Sequence, residues 1–188
     1  MASQSKDTVR ALSIASREAR TESAIALAGE AIAAHDWNQL CRGELVTCFV
    51  SMATEPPTEQ LRKQLRALGK SVALPIMKPA RALAWGFDGS SLERNSYGIL
   101  EPESSDIEID TATAIIVPAL RVGLDGSRLG RGAGYYDRAL ENLASFQNGG
   151  PRRIVLVFDD EVDESVPSEP HDAPIDLIVT PTRIIEVN

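Results

Sequence analysis

Apolar residues along this chain occur in two patterns that alternate, short continuous runs and stretches with helical spacing. Runs typical of buried strands lie at 45–50, 71–75, 114–117, 153–158 and 177–179. Between the first two runs, Leu61, Leu65 and Leu68 recur at helical spacing, so a strand, a helix and a strand follow one another. This alternation predicts an α/β fold with a parallel sheet and right-handed crossovers.

Residues 5–35 predict two helices. Their apolar stripes are Val9, Leu12 and Ala15 or Ser16 in the first helix, and Ile25, Leu27, Ala28 and Ile32 in the second. Lys6 and Arg10 stand four residues apart, which places both on one face of the first helix. On spacing alone they are two solvated surface charges. The first seventeen residues hold a single acid, Asp7, a composition that a transit peptide also has.

Turn and cap signals divide the rest of the chain. Two prolines end the first strand, and Thr58 after them predicts the N-cap of the next helix. Glu55 lies just before those prolines, at the sheet edge where open α/β folds bind ligands, although an exposed loop glutamate is the alternative. Residues 82–85 predict a short edge strand and residues 86–110 an irregular polar segment, whereas the acid run 159–164 is typical of a solvated loop.

Size and charge narrow the possible functions. A chain of 188 residues with 43% apolar content predicts one domain with a sizeable core. The net charge of −8 argues against non-specific nucleic-acid binding, so a polyanionic substrate needs a local basic pocket. No run is long enough for a membrane helix, and Cys41 and Cys48 lack zinc-ligand spacing, which indicates free thiols in a reducing cytoplasm. Nothing in the sequence indicates an oligomer, so a monomer is favoured.

The most distinctive segment is Arg128-Leu-Gly-Arg-Gly-Ala-Gly-Tyr-Tyr-Asp-Arg138. It lies between a predicted strand and a helix that we expect to begin near Ala133 or Gly134. Such a turn is typical of phosphate binding, because glycine lets backbone N–H groups approach an anion and the helix N-terminus adds partial positive charge. Arg128 and Arg131 can add charge-assisted hydrogen bonds. The segment is neither a P-loop nor a dinucleotide fingerprint, and a tight turn without a ligand is the alternative.

This run resembles the signature of the 5-formyltetrahydrofolate cyclo-ligase family, whose pattern is close to Arg-Leu-Gly-x-Gly-x-Gly-Tyr-Tyr-Asp-Arg. The chain matches every fixed position. Shorter family segments are matched by Lys6-Asp-Thr-Val-Arg10, Glu55-Pro-Pro-Thr58, Tyr97-Gly-Ile-Leu-Glu-Pro102 and the segment from His171 to Thr180. The resemblance implies a single three-layer α/β/α domain over residues 1–188 with a mixed, mostly parallel sheet. Related folds are those of sugar-phosphate isomerases and CoA transferases.

The resemblance also implies a reaction and its ligands. The family uses ATP and Mg²⁺ to cyclise 5-formyltetrahydrofolate, with or without a polyglutamate tail, to 5,10-methenyltetrahydrofolate. The ATP-binding residues it implies are Lys6, Arg10, Arg128, Leu129, Gly130, Arg131, Gly132, Ala133, Gly134, Tyr135 and Tyr136, with Arg131 and Lys6 also catalytic. The folate-binding residues it implies are Glu55, Tyr97, Arg131, Gly132, Ala133, Gly134 and Tyr135. The implied magnesium ligands are Asp137 and Asp172.

Some positions depart from the family or allow other interpretations. Ala133 stands where many relatives carry Lys or Gly, and Glu161 where the family tends to carry Gln. Tyr97 is alternatively a loop anchor with a buried ring, and Asp137 a favourable charge at a helix start. His171 and Asp176 are expected to position their loop and strand. Two other classes stay open, an isomerase or CoA-transferase-like enzyme that binds phosphate without ATP, and a non-catalytic nucleotide- or folate-binding regulator.

Overall fold

The computed structural model describes residues 5–89, 91–169 and 172–187. Its α-helices are α1 (Lys6–Glu18), α2 (Glu22–Ala33), α3 (Trp37–Leu40), α4 (Glu59–Ala67) and α5 (Tyr135–Glu141). Its strands are β1 (Leu45–Thr47), β2 (Ser71–Lys78), β3 (Ala82–Phe87), β4 (Leu92–Arg94), β5 (Leu100–Pro102), β6 (Ala114–Pro118), β7 (Arg121–Gly123), β8 (Arg128–Leu129), β9 (Arg152–Leu156), β10 (Val162–Asp163), β11 (Leu177–Val179) and β12 (Ile184–Glu186).

Seven strands form the central sheet in the order β12-β11-β9-β6-β1-β2-β3. The neighbours from β11 to β2 are all parallel, while β12 and β3 run antiparallel at the two edges. The predicted strand–helix–strand unit is β1-α4-β2, and its two strands are parallel. The prediction of a mixed, mostly parallel sheet is therefore confirmed.

Helices cover both faces of this sheet because its inner strands are apolar on both sides. In β6, Ile116 joins a buried cluster that includes Trp37 of α3 and Leu65 of α4. Its neighbour Ile115 joins the cluster on the opposite face, which includes Leu140 of α5. Successive side chains of a strand point to opposite faces, so this alternation produces the predicted three layers.

The carboxyl ends of the parallel strands meet at one edge of the sheet, and the candidate site lies there. The segment 48–55 follows β1, Ala119 follows β6, and the turn 79–81 follows β2. Glu161 and Thr180 follow β9 and β11. Residues far apart in sequence are therefore brought together at this edge.

The structure corrects the apolar stripe predicted for the first helix. Leu12 is 59% exposed and Ala15 is also exposed, whereas Ser13 and Arg17 are buried. The reason is that α1 packs on a polar sheet edge, where Arg17 donates to the Ala119 carbonyl at 2.6 Å. In α2 the stripe is partly right, since Ile32 is buried but Leu27 is exposed.

Two details around β1 and α4 also differ from expectation. The first strand ends at Thr47, three residues before the end of its apolar run, although Cys48 still donates its N–H to the Ala73 carbonyl. Thr58 is the N-cap residue, but its hydroxyl donates to the Phe49 carbonyl at 2.6 Å and does not cap the helix. Leu68 lies beyond the last helical residue and is exposed.

Residues 86–110 are more regular than predicted, because they contain the antiparallel hairpin β4–β5. The Asn95 side chain closes its turn by accepting the N–H groups of Tyr97 at 2.9 Å and Ile99 at 3.0 Å. Strands of three residues are too short to produce a detectable alternation, so the sequence did not reveal them.

The acid run 159–164 is not simply solvated, which corrects another expectation. Glu161 is 2% exposed and accepts from Arg17 through both carboxylate oxygens at 2.7 Å. Asp159 accepts hydrogen bonds from the hydroxyls of Thr180 at 2.5 Å and Thr182 at 2.6 Å. The run therefore connects α1 to the ends of two central strands.

Cys41 and Cys48 are both free and buried. Burial disfavours the thiolate and raises the pKa of each thiol to about 12, so neither is activated for chemistry. The prediction of free thiols is confirmed.

Across residues 5–89, 91–169 and 172–187, no helix combines the length and apolar character that crossing a bilayer requires.

Candidate functional site

The Gly-rich loop, residues 130–134, connects β8 to α5 at the carboxyl edge of the sheet. Gly132 and Gly134 have φ of +94° and +73°, a left-handed conformation that side chains rarely adopt. Gly134 is the N-cap of α5, so the helix begins where the sequence predicted. A Cβ atom at Gly132 would lie 3.2 Å from Cζ of Arg10, and Arg10 Nε donates to the Gly130 carbonyl at 3.1 Å. An arginine of α1 thus packs directly against the loop.

The Gly-rich loop separates two cavities of similar size. The polar cavity, about 360 Å³, is lined by Lys6, Arg10, Arg81, Arg128, Leu129, Gly130, Gly132, Gly134, Asp137, Arg138, Glu141, Glu169 and Asp172. The apolar cavity, about 350 Å³, has walls that include Phe49, Val50, Met52, Glu55, Pro75, Met77, Leu83, Tyr97, Ile99 and Leu100. Arg128, Gly130, Gly132, Gly134 and Asp137 line both cavities, so the loop is their common wall.

Residues of the loop segment divide between the two sides. Arg131, Ala133, Tyr135 and Tyr136 line the apolar cavity and are absent from the walls of the polar one. These four residues can therefore contact ATP, as predicted, only if part of the nucleotide reaches the common wall of the two cavities. Leu129, Gly130, Gly132 and Gly134 line the polar cavity, as an anion-binding loop requires.

Several charged side chains of the polar cavity are paired with one another. Lys6 Nζ donates to Asp172 Oδ2 at 2.8 Å and lies 3.1 Å from Glu169 Oε2. Burial lowers the pKa of Lys6, but the hydrogen bonds to Asp172 and Glu169 outweigh it and leave the pKa raised. Lys6 and Arg10 are partly buried, so they are not two solvated surface charges.

The two predicted metal ligands line the same cavity. Asp137 lies in the first turn of α5 and forms an ion pair with Arg128, whose guanidinium is buried. Asp172 accepts from Lys6 and from the backbone N–H of Glu169. Among the described residues, no group of three or more His, Cys, Asp or Glu side chains is arranged to hold a metal ion. His171 lies outside the described residues, while Asp176 accepts the Arg153 N–H at 2.7 Å, next to the start of β11, as expected.

Glu55 is the acidic group of the apolar cavity. It is 6% exposed, which excludes the alternative of an exposed loop glutamate. Its Oε2 accepts the Met52 N–H at 2.9 Å, and its Oε1 lies 3.3 Å from Arg131 Nε of the Gly-rich loop. Tyr97 is 70% exposed, so it is not a loop anchor with a buried ring, and it stands on the wall of the same cavity.

Tyr136 lies beneath the apolar cavity. Its ring packs edge-on against Trp85, with ring centroids 6.3 Å apart. Its hydroxyl is buried and has no hydrogen-bond partner among the described residues. Desolvation raises its pKa well above the ordinary value, so the hydroxyl stays protonated and can donate to a bound ligand.

Sequence reasoning missed how α1 is anchored. Lys6, Arg10, Ser13 and Arg17 follow one another at spacings of four, three and four, which is one face of a helix. This polar stripe is a readable signal, but amphipathic patterning assigns the apolar residues to the buried face of a helix. Arg81, which also lines the polar cavity, had no signal of its own because it reaches the site through a turn after β2.

Comparison with known proteins agrees with this arrangement. Residues 2–181 match the sequence pattern of the 5-formyltetrahydrofolate cyclo-ligase family. The 5-formyltetrahydrofolate cyclo-ligase of Mycolicibacterium smegmatis is 36% identical over 82% of this chain and 84% of its own, and that of Mus musculus is 28% identical over 93% and 88%. The NMR structure of Aquifex aeolicus 5,10-methenyltetrahydrofolate synthetase superposes with a TM-score of 0.77 at 21% identity, covering 97% of this chain and 93% of that one. A match of this extent, which includes the loop between the two cavities, means that the chain belongs to the 5-formyltetrahydrofolate cyclo-ligase family.

Proposed function

We propose that this protein catalyses the ATP-dependent cyclisation of 5-formyltetrahydrofolate to 5,10-methenyltetrahydrofolate, with release of ADP and phosphate. The observation that carries the proposal is the Gly-rich loop as the common wall of a polar and an apolar cavity. The reaction uses a polyanion, ATP, and a folate whose pterin and aminobenzoyl rings offer faces that can pack on apolar and aromatic side chains. Two cavities of opposite character that meet at an anion-binding loop suit this pair of substrates.

The polar cavity is the proposed site of the ATP triphosphate. Backbone N–H groups of the Gly-rich loop approach the phosphates closely, because the glycines present no side chain. Lys6 and Arg10 add positive charge from α1 to the same cavity, and Arg10 also donates to the Gly130 carbonyl of the loop. Phosphoryl transfer depends mainly on positioning and charge neutralisation, which these groups supply without covalent participation.

The apolar cavity is the proposed site of the folate ring. Glu55 is positioned by the Met52 N–H and can accept N–H groups from the edge of the pterin. Tyr97 presents an exposed aromatic ring on the cavity wall, where it can stack on the ligand. Arg131 lies beside Glu55, on the loop that faces the phosphates, so it is the proposed contact with the group being transferred.

The chemistry begins at the formyl group, an amide whose carbonyl is a poor electrophile. Its oxygen attacks the γ-phosphorus of ATP and ADP leaves, which gives an activated N5-iminium phosphate. N10 then attacks the formyl carbon and loses its proton, and phosphate leaves with the former formyl oxygen. Arg131 and Lys6 stabilise the charge on the transferring phosphoryl group.

We further propose that Mg²⁺ binds between Asp137, Asp172 and the ATP phosphates. Magnesium takes one or two carboxylates and completes its octahedral shell with phosphate oxygens and water, and both carboxylates line the polar cavity. When bound, the ion neutralises negative charge on the phosphates. Asp137 and Asp172 each contact a cation of the chain, so these pairs would have to rearrange around the ion.

We propose that the chain acts as a single-domain monomer in the cytoplasm. The buried free thiols of Cys41 and Cys48 support a reducing compartment.

The deciding experiment is to follow the absorbance of the methenyl product with purified protein, 5-formyltetrahydrofolate and Mg²⁺, with and without ATP. Product that forms only with ATP supports the proposal. An isomerase or CoA-transferase-like enzyme would give no such product, and a non-catalytic regulator would bind the ligands without turnover. Lys6→Gln should strongly reduce the rate at limiting ATP, whereas Lys63→Gln, which alters an exposed pair on α4, should not.

A further inference from the structure

Most cations of the polar cavity already have partners within the chain. The pairs are Lys6 with Asp172 and Glu169, Arg10 with Asp7 and the Gly130 carbonyl, Arg128 with Asp137, and Arg138 with the Gly134 carbonyl. Arg81 also lines this cavity, yet within the described part of the chain its guanidinium has neither a hydrogen-bond nor an ion-pair partner. An exposed cation in this position is available to a ligand.

The backbone that presents Arg81 is unusual. Ala80 and Arg81 have φ of 59° and 61°, and among the described residues they are the only non-glycine positions with positive φ. They follow Pro79 in the turn between β2 and β3. L-residues adopt this conformation at an energetic cost, and such positions concentrate at ligand sites. Glycine adopts a positive φ without this cost. The presence of arginine at this position therefore indicates a role for its side chain.

Arg81 reaches the cavity from a different element than Lys6 and Arg10. The strand β3, which begins after the turn, packs on α5 through the contact between Trp85 and Tyr136. The polar cavity is lined by Arg138 from α5, by Lys6 and Arg10 from α1, and by Arg81 from this turn. A polyanion in the cavity would therefore meet cations from these three separate elements.

We propose that Arg81 binds the triphosphate of ATP from the β2–β3 turn. This inference rests on the proposed function, because it assigns a residue to the nucleotide side of that site. A guanidinium forms paired, charge-assisted hydrogen bonds with phosphate oxygens. The net charge of −8 makes each local cation important for a polyanionic ligand.

The test is binding without turnover, measured by calorimetry with a non-hydrolysable ATP analogue and with inorganic tripolyphosphate. Arg81→Gln should lower the affinity for both ligands by about 10-fold or more, since hydrogen bonds between charged groups are lost. Arg81→Lys should retain much of the affinity. Arg42→Gln is the matched control, because Arg42 is exposed, precedes β1 and lies outside both cavities.

Arg81→Gly separates ligand binding from damage to the fold. Glycine suits a positive φ, so this variant should unfold at a temperature at least as high as the wild type while losing as much ATP affinity as Arg81→Gln. Unchanged binding of both probes in Arg81→Gln overturns the proposal. A third titration uses 5-formyltetrahydrofolate: a loss of affinity confined to that ligand also overturns the proposal and would assign Arg81 to the carboxylates of the folate. Since no step requires product formation, this result and the outcome of the absorbance assay are independent.

Discussion

At the scale of single residues, the site depends on side chains held in place before any ligand arrives. Glu55 is fixed by the Met52 N–H, and Arg10 by the Gly130 carbonyl. Spacing alone left Lys6 as a solvated charge, and the position of Glu55 left both a ligand-binding residue and an exposed loop glutamate open, so the family motifs decided their predicted roles. The structure explains the difference: both lie at the sheet edge, where their surroundings come from segments that are distant in sequence.

Glu55→Gln should raise the KM for 5-formyltetrahydrofolate by about 10- to 100-fold and leave the KM for ATP nearly unchanged. The carboxylate can accept two N–H groups from the pterin, whereas the amide presents a donor to one of them. Steady-state kinetics with each substrate varied in turn measures the split. Glu59→Gln, on the exposed face of α4, is the control. Equal losses for the two substrates would place Glu55 outside the folate site.

At the scale of elements, α1 differs most from the expectation drawn from its sequence. Amphipathic patterning assumes that the apolar face of a helix points inward, but α1 crosses a polar edge where carbonyl groups and acids end the strands. Its buried contact is therefore the ion pair between Arg17, 1% exposed, and Glu161. The central strands and α2, α4 and α5 were predictable because they pack on apolar faces. The anchor of α1 was not, since it joins positions 144 residues apart.

Glu161→Ala should destabilise the protein by about 3–5 kcal/mol, because it leaves the buried guanidinium of Arg17 without a counter-charge. Urea unfolding gives the free energy. The double variant that combines Arg17→Met with Glu161→Leu should lose less free energy of unfolding than the two single variants together, since no charge is then left unpaired. A loss of unfolding free energy below about 0.5 kcal/mol in Glu161→Ala would show that the pair does not hold α1 in place.

At the scale of the whole molecule, the fold brings opposite ends of the chain to one cavity. Lys6 and Asp172 are 166 positions apart and form a hydrogen bond, a contact that no local pattern indicates. The acidic protein thereby brings five cations, Lys6, Arg10, Arg81, Arg128 and Arg138, to one cavity. Sequence motifs named both residues, but only the order of strands in the sheet accounts for their meeting.

Asp137→Asn and Asp172→Asn should each lower turnover by about 10²-fold and raise the Mg²⁺ concentration that gives half the maximal rate. If both carboxylates bind one ion, the double variant should lose less than the product of the single losses. Electron paramagnetic resonance of Mn²⁺ with a non-hydrolysable ATP analogue reports metal binding without turnover. Asp163→Asn breaks an Asp–Arg pair outside both cavities and serves as the control. Wild-type Mn²⁺ affinity in both variants would exclude this metal site.

The common wall between the cavities has a thermodynamic consequence. Each face of the Gly-rich loop belongs to a different cavity, so a shift of the loop that improves the fit on one face alters the shape of the other. Binding of ATP and binding of the folate are then coupled, and the coupling free energy belongs to the two ligands together. Reciprocity requires that whatever factor ATP imposes on the affinity for the folate, the folate imposes equally on the affinity for ATP.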